Sequence, residues 1–279
     1  MKILERVLII AIFFFLVATL IVLYFIYTAD PARQEVLEER TFEEDIEDMG
    51  ITVENSRVEF LPSTDGTTRI VLTGNSDDFT LNTDLSGVRL EIEVEDRSRF
   101  FGFGLNRSSS LQVYMPENGL ASLSANSDNG ALQARDIQVY DLTFEAKNGR
   151  IELEAVESER IHVETANGRI EMTRIDADIS VRASNGRIIF TDVSGELQAR
   201  ANNGRIDMAV DTLDFPVNLE TNNGHIEIRT ETEPANARIE SRVDNGSIDI
   251  YGRDSEEVRF GNGDVLIELN SNNGRIVVE

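Results

Sequence analysis

An Asn-Gly pair occurs ten times in this chain of 279 residues, and the later copies fall at a near-constant interval inside a near-constant phrase. The asparagines are Asn118, Asn129, Asn148, Asn167, Asn185, Asn203, Asn223, Asn245, Asn262 and Asn273. From Asn129 to Asn245 the steps are 19, 19, 18, 18, 20 and 22 residues. The phrase reads NGRIELE at Asn148, NGRIEMT at Asn167, NGRIDMA at Asn203, NGHIEIR at Asn223 and NGSIDIY at Asn245. A unit this short cannot bury an apolar face by itself, so it must stack on copies of itself, which confines the chain to a repeat architecture.

Within a repeat the apolar residues alternate with polar ones, as in a strand with one buried face. Ile151, Leu153 and Ala155 share one face and Arg150, Glu152 and Glu154 the other; Ile170 with Met172, and Ile206 with Met208 and Val210, repeat the pattern. A polar turn of variable sequence follows, and a second alternating strand returns through Ile161 and Val163, Ile179 and Val181, Leu197 and Ala199, or Val217 and Leu219. Each repeat thus carries two short strands and two turns, one of them fixed as Asn-Gly.

Asn-Gly between alternating strands is a strong hairpin signal, because a type I′ turn needs positive φ at both central residues. An antiparallel meander is therefore one reading. Only every second turn carries the pair, however, and like residues recur at matched offsets. Coiling the chain places Asn over Asn, Gly over Gly and Ile over Ile at a spacing of about 4.8 Å. Stacked side-chain amides then bond along the ladder, and glycine supplies a left-handed corner. The favoured expectation is an all-β, single-stranded parallel β-solenoid, right-handed as parallel crossovers are, with two strands per rung of 18–20 residues. Its turn ladder comprises Asn148-Gly149, Asn167-Gly168, Asn185-Gly186, Asn203-Gly204, Asn223-Gly224, Asn245-Gly246 and Asn273-Gly274. Stacked Arg150, Arg169, Arg187 and Arg205 are compensated by Glu152, Glu171 and Asp207 two residues along the same outer face, a solvated surface rather than an anion site.

Residues 7–27 are 21 consecutive uncharged residues. As a helix they measure about 31 Å, the hydrocarbon thickness of a bilayer. Lys2 and Arg6 precede them and an acidic stretch follows, which puts residues 1–6 in the cytoplasm and everything after Tyr27 outside. Cleavage after Ala29 or Ala32 would place Tyr27 or Asp30 at the −3 position, so an uncleaved signal-anchor is expected at the cell membrane. Residues 28–40 read as an acidic juxtamembrane spacer with a short helix capped by Asp30 and started by Pro31. The solenoid then occupies 41–279, irregular over 41–115, where Val58, Phe60, Val88, Leu90, Ile92 and Val94 mark strands, and regular over 116–279.

The net charge is −25, from 51 acidic and 26 basic residues, which argues against nucleic acid or an anionic lipid surface as a partner. There is no cysteine. His162 and His225 lie at outward positions, with no nucleophile elbow beside them. The acids recur with the repeat, whereas catalysis needs one unrepeated cluster. No calcium-loop motif occurs. The expectation is no enzyme activity, cofactor or metal.

Two places break the pattern. Phe100, Phe101 and Phe103 sit among glycines in residues 99–106, either as a cap over the end of the solenoid or as a loop that touches a partner. At the other end the interval shrinks to 11 residues between Asn262 and Asn273, and a final strand with an open edge would favour weak self-association there.

Residues 111–154, LQVYMPENGLASLSANSDNGALQARDIQVYDLTFEAKNGRIELE, resemble the adhesin-like β-strand-repeat family of bacterial and archaeal envelope proteins, a family of unknown function. The likeness covers about residues 41–279. It implies a β-solenoid and a non-catalytic envelope role, and supplies no catalytic residues. The resulting expectation is a membrane-anchored, extracytoplasmic binding or scaffold protein with an envelope protein or glycan as partner. The alternatives are a polysaccharide-acting parallel β-helix enzyme, or an envelope-state sensor or assembly factor working with a membrane partner.

Overall fold

A computed structural model describes residues 34–97, 107–116 and 119–279. The membrane span expected at 7–27 and the loop bearing Phe100, Phe101 and Phe103 lie outside these residues. The described residues form sixteen strands and no helix.

The regular part is a parallel stack. It runs through β8 (Leu120–Ser127), β9 (Leu132–Arg135), β10 (Val139–Glu154), β11 (Glu157–Ser194, two successive rungs), β12 (Leu197–Val210) and β13 (Val217–Thr230). Each residue lies beside its counterpart one repeat on: Phe144 beside Val163, Asn148 beside Asn167, Gly149 beside Gly168, Ile151 beside Ile170. The register continues from Ile188 to Ile206 and from Ile206 to Ile226. The meander is thereby excluded for the repeats, and the Asn-Gly rows stack as a solenoid requires.

The interior is a column of aliphatic side chains. Ile151, Ile170, Ile188, Ile206, Ile226 and Ile276 are fully buried on one wall; Val163, Val181, Ala199 and Leu219 are buried on the facing wall. Phe60, Phe144 and Phe190 are the largest fully buried side chains, with the Phe60 and Phe144 rings 5.1 Å apart. Removing such a side chain from water is worth about 1.5–3 kcal/mol, so the column is the main source of stability.

The two corners exchange the roles expected of them. At the Asn-Gly corner the glycines at 149, 168, 186, 204, 224 and 274 do not have left-handed φ, and the strand runs through the corner without interruption. Left-handed φ falls instead at the variable turn, on Asp136 (51°), Ala155 (50°), Arg174 (55°) and Asp192 (52°). These occupy one repeated position. Ala155, expected inside, is that corner residue, and the next residue, Val156, takes the buried place.

The irregular part forms an N-terminal cap from β1 (Glu35–Phe42), β2 (Asp48–Val53), β3 (Arg57–Pro62), β4 (Thr68–Gly74), β5 (Phe79–Ser86), β6 (Arg89–Asp96) and β7 (Ser109–Met115). The β2/β3 rung lies between the β6/β7 rung and β8/β9, parallel to both. Beyond it β4, β5 and β1 pair antiparallel. Residues 35–40, expected to be helical, are therefore strand: Glu35 to Arg40 alternate across the edge of β4. Glu38 accepts the N–H of Leu81 at 2.9 Å and Arg40 donates to its carbonyl at 3.0 Å, so side chains of β1 close the free edge of β5. Val88, expected inside, is 41% exposed because it lies in the two-residue turn between β5 and β6.

The C-terminal strand is not at the edge. β14 (Ala237–Ile250) and β15 (Glu257–Arg259) precede β16 (Val265–Val278), yet β16 is inserted between β13 and β14, parallel to both. The outermost rung is β14, and β15 covers its outer side from Arg238 to Glu240. An edge at β16 open to self-association is thus absent, because both sides of that strand are paired.

Candidate binding surface

The predicted ladder residues come together as one continuous row. Each asparagine Nδ2 donates to the Oδ1 of the asparagine before it in the stack: Asn148 to Asn129 at 3.1 Å, Asn167 to Asn148, Asn185 to Asn167, Asn203 to Asn185 and Asn223 to Asn203 at 2.9 Å. Asn273 donates to Asn223 at 2.9 Å and Asn245 to Asn273 at 3.0 Å. The row begins at Asn55, which accepts from Asn129 at 3.0 Å although no glycine follows it. A second, shorter row joins Asn202, Asn222 and Asn272, legible in the sequence as a doubled asparagine before glycine. Asn262-Gly263 is outside the ladder, in the turn that leads into β16.

The glycines beside these asparagines are required by proximity. A Cβ on Gly168 would lie 1.7 Å from the carbonyl oxygen of Gly149, and one on Gly224 would lie 1.6 Å from that of Gly204. Gly186, Gly204, Gly246 and Gly274 meet the same obstacle, at 1.6–1.8 Å. The ladder is thus an edge at which the backbones of successive rungs are in close contact.

The outer charges compensate one another. Arg150 reaches Glu152 and Arg169 reaches Glu171, each at 2.8 Å. Where Ile189 replaces the acid, Arg187 turns to Asp207, which also takes Arg205. Arg205 continues to Glu227, Glu227 to Arg229 and Arg229 to Glu279. His225 occupies the arginine row and its Nδ1 accepts the N–H of Arg275 at 3.0 Å; His162 is half-buried on the outer face. Among the described residues no His, Cys, Asp or Glu gather in a group able to hold a metal.

One place departs from repetition. Tyr140, at the start of β10, is 54% exposed; the other large apolar residues so exposed among those described are Val36 and Val88. The Arg160 guanidinium lies 5.5 Å from the Tyr140 ring centre and grips Asp141 with two bonds of 2.6 and 2.7 Å. The Asp141 carboxyl is held below the usual carboxylate range, chiefly by that hydrogen bonding, and Asp141 raises Arg160 in turn. Ser158 lies beside the same backbone, with its hydroxyl 3.1 Å from the Tyr140 carbonyl and 3.0 Å from that of Arg160.

Open grooves flank this group. The one along the variable turns has a volume of about 840 Å³ and is bordered by Gln138, Tyr140, Ser158, Glu159, Arg174 and Asp176. The one across the sheet has about 580 Å³ and is bordered by Asp141, Thr143, Arg160, His162, Ser180 and Gln198. The arrangement sets an exposed aromatic ring beside a hydrogen-bonded Arg–Asp pair on the sheet surface. Sequence reasoning missed Tyr140 because a single aromatic at an outward strand position carries no motif.

The register and the antiparallel strands at either end define a class: a capped, parallel β-repeat stack with an apolar interior. The chain belongs to the Toastrack DUF4097 family, whose profile matches residues 46–279. No curated protein matches the chain. Among solved structures it is similar to a candidate adhesin from Bacteroides fragilis (12% identity, 89% of this chain and 99% of that one, TM-score 0.41). It is also similar to a candidate cell adhesion protein from Clostridium sporogenes (10% identity, 88% and 99%, TM-score 0.33). A third is a candidate lipid binding protein from Parabacteroides distasonis (13% identity, 87% and 96%, TM-score 0.39).

Proposed function

We propose that this chain is a non-catalytic, adhesin-like binding scaffold of the cell envelope, held by a single N-terminal span with its repeat stack outside the cytoplasmic membrane. The observation that carries the binding role is the Tyr140–Arg160–Asp141 group between two grooves, where exposed aromatic surface meets pre-positioned polar groups. Ionic groups here and elsewhere on the outer face are paired, so the exposed Tyr140 ring is what sets this surface apart. The apolar run at 7–27, its flanking charges and the resemblance of the rest to an envelope family support the location.

The test uses the full chain in detergent, sedimented with isolated cell-wall glycan. Retention on the wall should fall about tenfold or more in Tyr140→Ala, as for an anchor residue of an interface. Equal retention of the variant and the parent would remove this surface from the account. Release of soluble sugar from the wall would replace the scaffold reading with an enzyme. Added protease should cleave the repeat stack in intact spheroplasts; complete protection would contradict the location.

A further inference from the structure

At the C-terminal end the order of rungs in space is β13, β16, β14, whereas the order in the chain is β13, β14, β16. Residues 231–236 carry the chain from the end of β13 past the place of β16 to the start of β14. β15 then runs back along the outer side of β14, with Arg259 beside Arg238. Residues 260–264 hook around the start of β14: the N–H of Phe260 bonds the Ala237 carbonyl at 2.7 Å, and Asn236 donates to Asp264 at 2.7 Å. β16 enters on the inner side of β14. The three strands therefore form a unit in which β14 is paired along its length by β16 and, from Arg238 to Glu240, by β15 on its outer side.

This unit meets the stack through one seam, the other side of β16 against β13. The seam holds a parallel ladder from Val217–Ile267 to Ile228–Val278. Added to it are the Asn273–Asn223 amide bond, the Arg229–Glu279 ion pair at 3.2 Å and the Thr230–Tyr251 hydroxyl contact at 2.9 Å. Every one of these contacts would form equally well if the cap came from another copy. The covalent tie across the seam is the segment 231–236, which reaches roughly 20 Å when extended. Exchange would release the bonds that the N–H groups of Glu231 and Thr232 donate to the Asp211 carbonyl, freeing the segment to lead to the end of a second stack. Exchange of an identical element at such a tie costs little beyond the rearranged hinge, and its balance is set by concentration.

We infer that the β13/β16 seam is an exchange point, and that two copies of this chain swap caps (residues 237–279) to form a closed dimer. The N-terminal end has no comparable unit, because β1, β2/β3 and β4 to β7 interleave in the stack rather than meeting it through one seam. Two membrane-held copies would thus be joined without any new surface, through contacts that each already makes alone.

The absence of cysteine from the chain allows a direct test. Asn218 and Glu268 face each other across the seam, 3.2 Å apart at their side-chain tips. Full-length Asn218→Cys and Glu268→Cys chains are unfolded, mixed, refolded together in detergent and oxidised. Cap exchange predicts a disulfide-linked heterodimer whose yield rises with concentration. It also predicts much lower yield when Glu145→Cys, remote from the seam, replaces Glu268→Cys. In parallel, light and heavy isotope-labelled parent chains are co-refolded and weighed by native mass spectrometry, which requires no disulfide. A mixed-mass dimer that survives dilution supports exchange. Monomers alone at every concentration in the mass measurement, or equal linkage of the remote pair, overturn it.

Discussion

Gly168 stands so close to Gly149 in the next rung that a methyl group on it would lie 1.7 Å from the Gly149 carbonyl oxygen. The nearest obstacle is the Gly149 backbone, so the rungs would have to separate. Gly168→Ala should destabilise the stack by about 3 kcal/mol or more in denaturant unfolding. Gly66 has φ of +78° and nothing within 4 Å, so Gly66→Ala should cost only about 1–2 kcal/mol of backbone strain. Equal costs at the two positions would mean that the corner glycines serve conformation rather than proximity.

The amide row makes a distinct prediction. Asn167 donates to Asn148 and accepts from Asn185, so Asn167→Ala leaves one group unpaired on each side and should cost about 1–2 kcal/mol. In Asn167→Asp the ionised carboxylate cannot donate, and part of the loss should return as pH falls below about 4 and the acid regains a proton. A loss independent of pH would show that the row contributes no directional bonding.

Ile206 is fully buried in the central column, and Ile206→Ala should cost about 2–5 kcal/mol in thermal or denaturant unfolding. Ala155, by contrast, is held at φ of 50°. Ala155→Gly should stabilise by a few tenths of a kcal/mol to about 1 kcal/mol, because relief of left-handed strain exceeds glycine's added chain entropy. Destabilisation by Ala155→Gly would contradict the assignment of the variable turn as the strained corner.

The carboxyl of Asp65 is lowered from 3.8 to about 2, first by the Ser63 hydroxyl and then by the N–H and hydroxyl of Thr67. A depressed acid adds stability above its unfolded value, and that contribution is lost as pH falls through the folded value. NMR titration of Ser63→Ala should move the Asp65 midpoint upward, toward 3.8. An unmoved midpoint would assign the shift to another cause.

Much of the stack is legible in the sequence because three signals agree: the period, the alternation, and the identity of residues that must lie over one another. Ile170, Val181 and Leu197 are inside, and Arg169 and Glu171 pair outside, as alternation requires. The corner geometry was not legible, since Asn-Gly suits both a left-handed turn and a close backbone approach, and the choice depends on what the next rung places there. Helix-favouring composition at residues 35–40 yielded to the free edge of β4, a tertiary demand that no local pattern reports. The place of β16 was hidden for a similar reason: its repeat phrase states that it stacks, but not between which neighbours. Tyr140 carries no periodic signature, so its surface emerges only from exposure and the grooves beside it.

The central claim is that rungs stack in parallel and in register, with the last strand inserted before β14. Pulsed electron resonance between spin labels on one outer row tests it directly. Glu220 lies beside Arg200 and Asn270, and Asn270 lies beside Arg242. With one label at Glu145, four rungs from Glu220, the separations should be about 19 Å to Glu220, about 24 Å to Asn270 and about 29 Å to Arg242, at one strand spacing per rung. The residue later in the chain is thus the nearer one. A distance to Asn270 greater than that to Arg242, or three distances without this progression, would contradict the account.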